Sequence, residues 1–142
     1  MIRLSLIRHG QTEGNKKKRY IGVTDESLCE EGKDFLRQMK YPAPQAVYVS
    51  PMKRCVETAE ILFPDYPVHV IDELAECDFG DFENKNYEEL DGNLEYQAWI
   101  ESGGTLPFRR REQGVILQAE SSRFSESCDR VYPGRYFQCC IC

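Results

Sequence analysis

The chain has 142 residues, 41% hydrophobic and 30% charged, with a formal net charge of −6. This length suits one domain that buries its core without metal or disulfide staples, and the acidic balance argues against nucleic acid as a partner. No run approaches the roughly 18 apolar residues of a membrane helix and no signal-peptide pattern opens the chain, so we expect no membrane partner and a cytoplasmic location.

Ile2, Leu4 and Leu6 alternate with Arg3 and Ser5, and Ile7 follows. That pattern predicts a strand, placed centrally in a sheet. Residues 9–26 are polar and glycine-containing and read as a loop. An apolar stripe of Leu28, Phe35, Leu36 and Met39 predicts a helix from about Leu28 to Lys40, ended by Pro42 and Pro44. Ala46 to Val49 predicts a second strand, closed by Ser50-Pro51, with Pro51 suited to the first turn of the next helix. That helix carries Met52, Cys55, Val56, Ala59, Ile61 and Leu62 and stops before Pro64. Pro67 to Ile71 predicts a third strand. The loop ELAECDFGDFE follows, then a helical stretch from about Tyr87 to Ile100. Strands alternating with helices at this spacing predict an α/β fold with a parallel sheet.

Charge is unevenly spread. Residues 1–40 hold nine Lys and Arg against six Asp and Glu, whereas residues 41–104 hold three against fourteen. A basic segment near the start suits an anionic ligand, although Lys16, Lys17, Lys18 and Arg19 read equally as a solvated loop. Cys29, Cys55 and Cys77 stand singly and read as small buried residues. Cys128, Cys139, Cys140 and Cys142 lack the paired spacing and His partners of a zinc site. No metal, cofactor or disulfide framework is expected.

In a parallel α/β sheet, ligands bind beyond the carboxyl ends of the strands. Arg8-His9-Gly10 follows the first strand. Ser50 to Arg54 follows the second, with Arg54 in the first turn of its helix. Two guanidiniums at adjacent strand ends make a phosphate clamp, to which the helix N-terminus adds its field. A His between them can attack phosphorus. Gly10 would let the backbone approach the ligand and fix the imidazole tautomer through a carbonyl. Taken singly, each has a plainer reading: Arg8 and His9 as satisfied structural residues, Arg54 as a helix surface residue, Glu76 as part of a solvated acidic loop. His69, in the PVHVI segment, reads as structural.

LIRHGQTEGN, SPMKRCVETAEIL and LAECDFGDFE, in this order, resemble the histidine phosphatase superfamily, the phosphoglycerate mutase-like group. Together with RYIGVTDESLCEEG they are most similar to its short bacterial phosphatases, such as α-ribazole-phosphate phosphatase. The resemblance implies a three-layer α/β/α fold with a mainly parallel sheet, and metal-independent phosphomonoesterase chemistry through a phosphohistidine. It implies that His9 is the nucleophile, that Arg8 and Arg54 hold the phosphoryl group, and that Glu76 protonates the leaving alkoxide and then activates water. Thr12, Asn15 and Gln11 would line the phosphate pocket, and Phe79-Gly80 and Glu83 would shape the turn that aims Glu76. The partner would be a small phosphorylated metabolite or inorganic phosphate. Phosphoglycerate mutase-type phosphotransfer fits less well, because no added lid segment follows Glu76. A non-catalytic phosphate-binding module on a degenerate enzyme is the reading from another class.

The family pocket has a second His near the C-terminus, and this chain has only His9 and His69. Within a single domain of residues 1–142, the resemblance therefore covers 1–107, and 108–142 reads as an aberrant tail. Residues 105–142 hold six Arg and no Lys, with no convincing helix or strand period. With freely chosen codons, reading from one base after Arg109 restores a Ser-Arg-Glu turn, and an apolar strand further on, which motivates a frameshifted tail. A natural shortened relative is the alternative. Either way we expect the last strand and the second His to be absent, leaving an unpaired sheet edge. Poor stability or a homo-oligomer, with weakened activity, is the consequence expected.

Overall fold

The computed structural model describes residues 3–106 and 137–141. β1 (Arg3–Ile7), β2 (Ala46–Val49), β3 (Val68–Val70) and β4 (Phe137–Ile141) form one sheet in the order β1-β4-β2-β3, and every pair is parallel. The α/β class and the parallel sheet are those the alternation of elements predicts.

Two expectations are corrected here. The tail does contain a strand, and it is one of the two inner ones: β4 pairs Phe137 to Ile141 against Arg3 to Ile7, and Gln138 to Ile141 against Ala46 to Val49. A parallel strand with neighbours on both sides needs no alternation of polar and apolar residues, so Phe-Gln-Cys-Cys-Ile gave no period to detect. β1, expected to be central, pairs on one side only among the described residues. Its Leu4 and Leu6 are 46% and 70% exposed, while Ile7 is buried. Alternation marks a strand with one covered face, and it does not say where in the sheet that strand lies.

The helices begin and end where local chemistry dictates. α1 (Glu13–Lys16) is a single turn within the predicted loop, closed by a capping box in which the Thr12 side chain accepts from Asn15 N and the Asn15 side chain accepts from Thr12 N. α2 (Glu30–Gln38) starts at Cys29, whose Sγ accepts from Gly32 N. α3 (Lys53–Leu62) starts one residue after Met52, so Pro51 precedes the helix and is not in its first turn. Asp25 supplies the missing cap, accepting from Lys53 N at 2.8 Å. α4 (Leu94–Glu101) is shorter than predicted. Gly92 at φ 75° and Asn93, whose side chain caps Glu95 and Tyr96, delay its start until Leu94.

α3 covers one face of the sheet: Ile7, Val47 and Val49 pack with Cys55, Ala59 and Phe63. On the other face, Ala46 and Tyr48 pack with Ile71 and Leu74. Full burial of a side chain such as Val49 or Phe63 contributes about 1.5–3 kcal/mol, so β2 is the anchored strand. A third cluster of Phe82, Leu90 and Tyr96, flanked by Tyr20, Phe79 and Trp99, stiffens the loops beyond the strands. Those loops carry the site.

Candidate active site

β1 ends at Ile7 and releases Arg8 and His9 beyond the sheet. They line a cavity of about 570 Å³ together with Asn15, Arg19, Tyr20, Ile21, Glu76 and Phe79. A second opening, of about 420 Å³, flanks the same two residues on the α2 side and includes Gln11, Phe35 and Tyr41. The Arg-His pair therefore stands between two solvent-accessible spaces.

The turn after His9 is tied down by packing and by α3. A Cβ on Gly10 would lie 2.7 Å from Leu36 Cδ1 and 3.1 Å from Leu28 Cδ2. Gly10 is thus packed against the ends of these two leucine side chains, and it also lines the second opening. Gly10 N donates to Thr58 Oγ1 at 3.0 Å, and Thr58 Oγ1 donates to Arg54 O at 2.6 Å. Glu57 accepts from Leu28 N at 2.9 Å. The ETA of SPMKRCVETA thus binds α3 to the loops on either side of the site. Sequence reasoning used this motif for Arg54 alone. The signal it missed is the i+3 and i+4 placement of Glu57 and Thr58, on the same helical face as Arg54.

His9 Nδ1 lies 2.6 Å from the Gly10 carbonyl oxygen. A carbonyl can only accept, so Nδ1 carries the proton and Nε2 keeps its lone pair. Burial draws the His9 pKa below its ordinary value of 6.5. The Gly10 hydrogen bond opposes this, the Arg54 and Arg8 charges add to it, and Glu76 opposes it weakly. The ring is therefore neutral near pH 7, with one basic nitrogen.

Arg54 is almost wholly buried, unlike the surface residue its helix position allows. Its Nη2 donates to Gly22 O at 2.8 Å and its Nη1 to Thr24 O at 3.0 Å. Its Nε is buried without a partner among the described residues, and Arg54, unlike Arg8, lines neither of the two spaces. Arg8 is exposed and joins no ion pair among the described residues. The two guanidiniums are not at adjacent strand ends, because β4 lies between β1 and β2.

The other predicted site residues divide. Asn15 lines the cavity, with its oxygen taken by Thr12 N. Thr12 is fully buried as the cap of α1 and holds Asn15 without lining either space. Gln11 lies in the second opening. Glu76 is exposed at the rim, accepting from Cys77 N. Next to it, burial chiefly, with Glu76, raises the Cys77 thiol to about 12, so this sulfur is no competing nucleophile. Glu83 reaches further than the turn it was expected to shape, bonding Gly22, Thr24 and Phe79. His69 sits on β3 with its ring 5.5 Å from Tyr48, and lines neither space. His9 is thus the one imidazole of either space.

Two of the four residues of the basic run are consumed locally. Lys16 bridges Glu13 and Glu31 at 3.2 and 2.9 Å. Arg19 donates to the Asn84 carbonyl and pairs with Glu89 at 3.0 Å. Glu13, Cys29 and Glu31 bring ligand atoms within 4.8 Å of one another, but the Lys16 ammonium already bridges both carboxylates. Tyr20, raised to about 12 by burial and its bond to Tyr96, stays a phenol in the cavity wall. No helix among the described residues is long and apolar enough to cross a membrane.

Comparison with known proteins places this geometry in context. The family model described as histidine phosphatase superfamily (branch 1) matches residues 4–140. An adenosylcobalamin/α-ribazole phosphatase of Salmonella typhimurium is 32% identical over 106 residues, covering 69% of this chain and 52% of that protein. A 2,3-bisphosphoglycerate-dependent phosphoglycerate mutase of Corynebacterium diphtheriae is 28% identical over 137 residues, covering 87% and 55%. The chain thus spans about half the length of these curated relatives. A phosphoserine phosphatase of Entamoeba histolytica, solved with 3-phosphoglyceric acid, superimposes with a TM-score of 0.80 at 27% identity, covering 99% of this chain and 73% of that one.

Proposed function

This chain belongs to the histidine phosphatase superfamily, and from that premise we propose that its site is that of a phosphomonoesterase working on a small phosphorylated metabolite through a phosphohistidine at His9. The observation that carries this reading is the 2.6 Å bond from Nδ1 to the Gly10 carbonyl, which leaves Nε2 unprotonated toward a ligand. In the first step Nε2 attacks phosphorus. The N–P bond forms, the P–O bond to the substrate breaks, and the departing alkoxide takes a proton from Glu76. In the second step water gives its proton to Glu76 and its oxygen attacks phosphorus. The N–P bond breaks and inorganic phosphate leaves. Arg8 and Arg54 balance the charge of the transferring group. Nucleophile, proton carrier and counter-charges are all side chains, so the scheme needs no metal.

A second reading, reversible phosphate binding without turnover, is favoured by one observation: His9 is the single imidazole lining either space. Brief mixing with radiolabelled p-nitrophenyl phosphate, followed by quenching in base, separates the two. The phosphatase reading expects a base-stable, acid-labile label that is absent from His9→Ala. Protection by inorganic phosphate without any label on the wild-type chain would replace it with the binding reading.

A further inference from the structure

Residues Gly22 to Thr24 are held from three directions. Glu83 Oε1 accepts the N–H groups of Gly22 and Thr24 at 2.8 and 2.9 Å, and its Oε2 accepts that of Phe79 at 3.1 Å. Arg54 donates to the carbonyls of the same Gly22 and Thr24. Against the third side, a Cβ on Gly22 would lie 1.8 Å from the Cys77 carbonyl oxygen, so the segment rests directly on the backbone that follows Glu76. No side chain larger than hydrogen fits at that contact.

A long guanidinium takes its orientation from its acceptors. Among the described residues Arg54 has two, both on this segment, and Glu83 fixes both. The same carboxylate pins Phe79, three residues after Glu76. One side chain therefore links the segment that aims Arg54 to the turn that carries Glu76.

Building on the phosphatase reading above, we propose that Glu83 is a positioning residue: by pinning Gly22 and Thr24 to Phe79, it sets the separation of the Arg54 guanidinium from the Glu76 carboxylate across His9. Glu83 touches neither the anion nor the reacting atoms. Its effect passes through backbone atoms, which makes it sensitive to the number of acceptor oxygens rather than to side-chain size.

Glu83→Gln tests this, because one of its two terminal atoms no longer accepts and three N–H groups cannot all be served. Leu90→Ala is the control for simple destabilisation: Leu90 is buried in the neighbouring Phe82 and Tyr96 cluster and bonds none of these groups. Three readouts apply to each protein: inorganic phosphate affinity, the split of kcat and KM toward p-nitrophenyl phosphate, and hydrogen exchange of the Arg54 Nε–H in the free chain. In Glu83→Gln we expect phosphate affinity to weaken and Arg54 exchange to accelerate, each on the order of tenfold, with kcat falling more than KM rises. Leu90→Ala should lower the melting temperature yet keep affinity and exchange within about twofold of wild type. Wild-type exchange at Arg54 in Glu83→Gln, or equal losses in Leu90→Ala, would overturn the proposal. A wild-type chain that neither binds phosphate nor turns over the ester defeats the phosphatase reading instead, and the exchange comparison still decides whether Glu83 positions Arg54.

Discussion

Arg54 and Glu83 bond the same two residues from opposite sides: the guanidinium takes the carbonyls of Gly22 and Thr24, and the carboxylate takes their N–H groups. Two opposite charges are thereby fixed through a shared stretch of backbone. The charge on Arg54 is compensated by carbonyl dipoles, and its buried Nε–H has no partner among the described residues.

This arrangement makes Arg54→Lys a severe change despite the conserved charge. Lys presents a point charge and cannot reach two carbonyls in a fork. One buried carbonyl is then left without its donor, at a cost of about 1–3 kcal/mol. The loss of an aimed donor at the transferring group should lower kcat by about 10²–10³. Thermal unfolding and p-nitrophenyl phosphate turnover check the two effects separately. Near-wild-type turnover in the Lys variant would show that charge alone suffices.

His9 carries a prediction about pH. Its pKa lies below 6.5 in the folded chain, so the native state holds this proton less tightly than the unfolded chain does. The contribution of His9 to stability is therefore fully present above about 6.5 and is lost as pH falls below it toward the folded pKa. We expect the His9 ring resonances, assigned by their loss in His9→Asn, to titrate below 6.5 with Nδ1 protonated throughout. The stability of His9→Asn should fall less than that of wild type over the same window. A ring that titrates above 6.5 would contradict both the burial argument and the neutral nucleophile.

How much of this was legible in the sequence depends on the kind of bond involved. Arg8 and His9 were readable from their place after the first strand, and Asn15 and Glu76 from the family resemblance; the structure brings all four to one cavity. Thr12 was read as a pocket residue. Its hydroxyl is spent inside a capping box, a pairing visible only once α1 is known to exist. Gly10 was read as room for a ligand; it lines the second opening, and its packing against Leu36 and Leu28 left no mark in the sequence. The reach of Glu83 to Gly22 and Thr24 spans about 60 residues and ends on backbone atoms, which carry no sequence signature. The helix starts at Lys53 and Leu94, rather than near Pro51 and Tyr87, follow caps from the Asp25 and Asn93 side chains.

The place of β4 in the sheet carries the last prediction. β4 is the only described strand bonded to β1, and it also bonds β2 along Ala46 to Val49. A chain ending at residue 136 would leave the whole of β1 and one side of β2 without ladder partners. Each unpaired backbone group removed from water costs free energy, and β1 is the element that delivers Arg8 and His9. Cys140 pairs with Leu6 on one side and Tyr48 on the other. Proline there removes a donor and crowds a central ladder, at a cost of about 3 kcal/mol or more. We therefore expect both the shortened chain and Cys140→Pro to lose the cooperative melt and the near-ultraviolet circular dichroism of the intact chain. Phosphate affinity should fall with them, because the site has lost its strand. A cooperative melt in the shortened chain, within a few degrees of the full one, would show that residues 3–106 fold without β4.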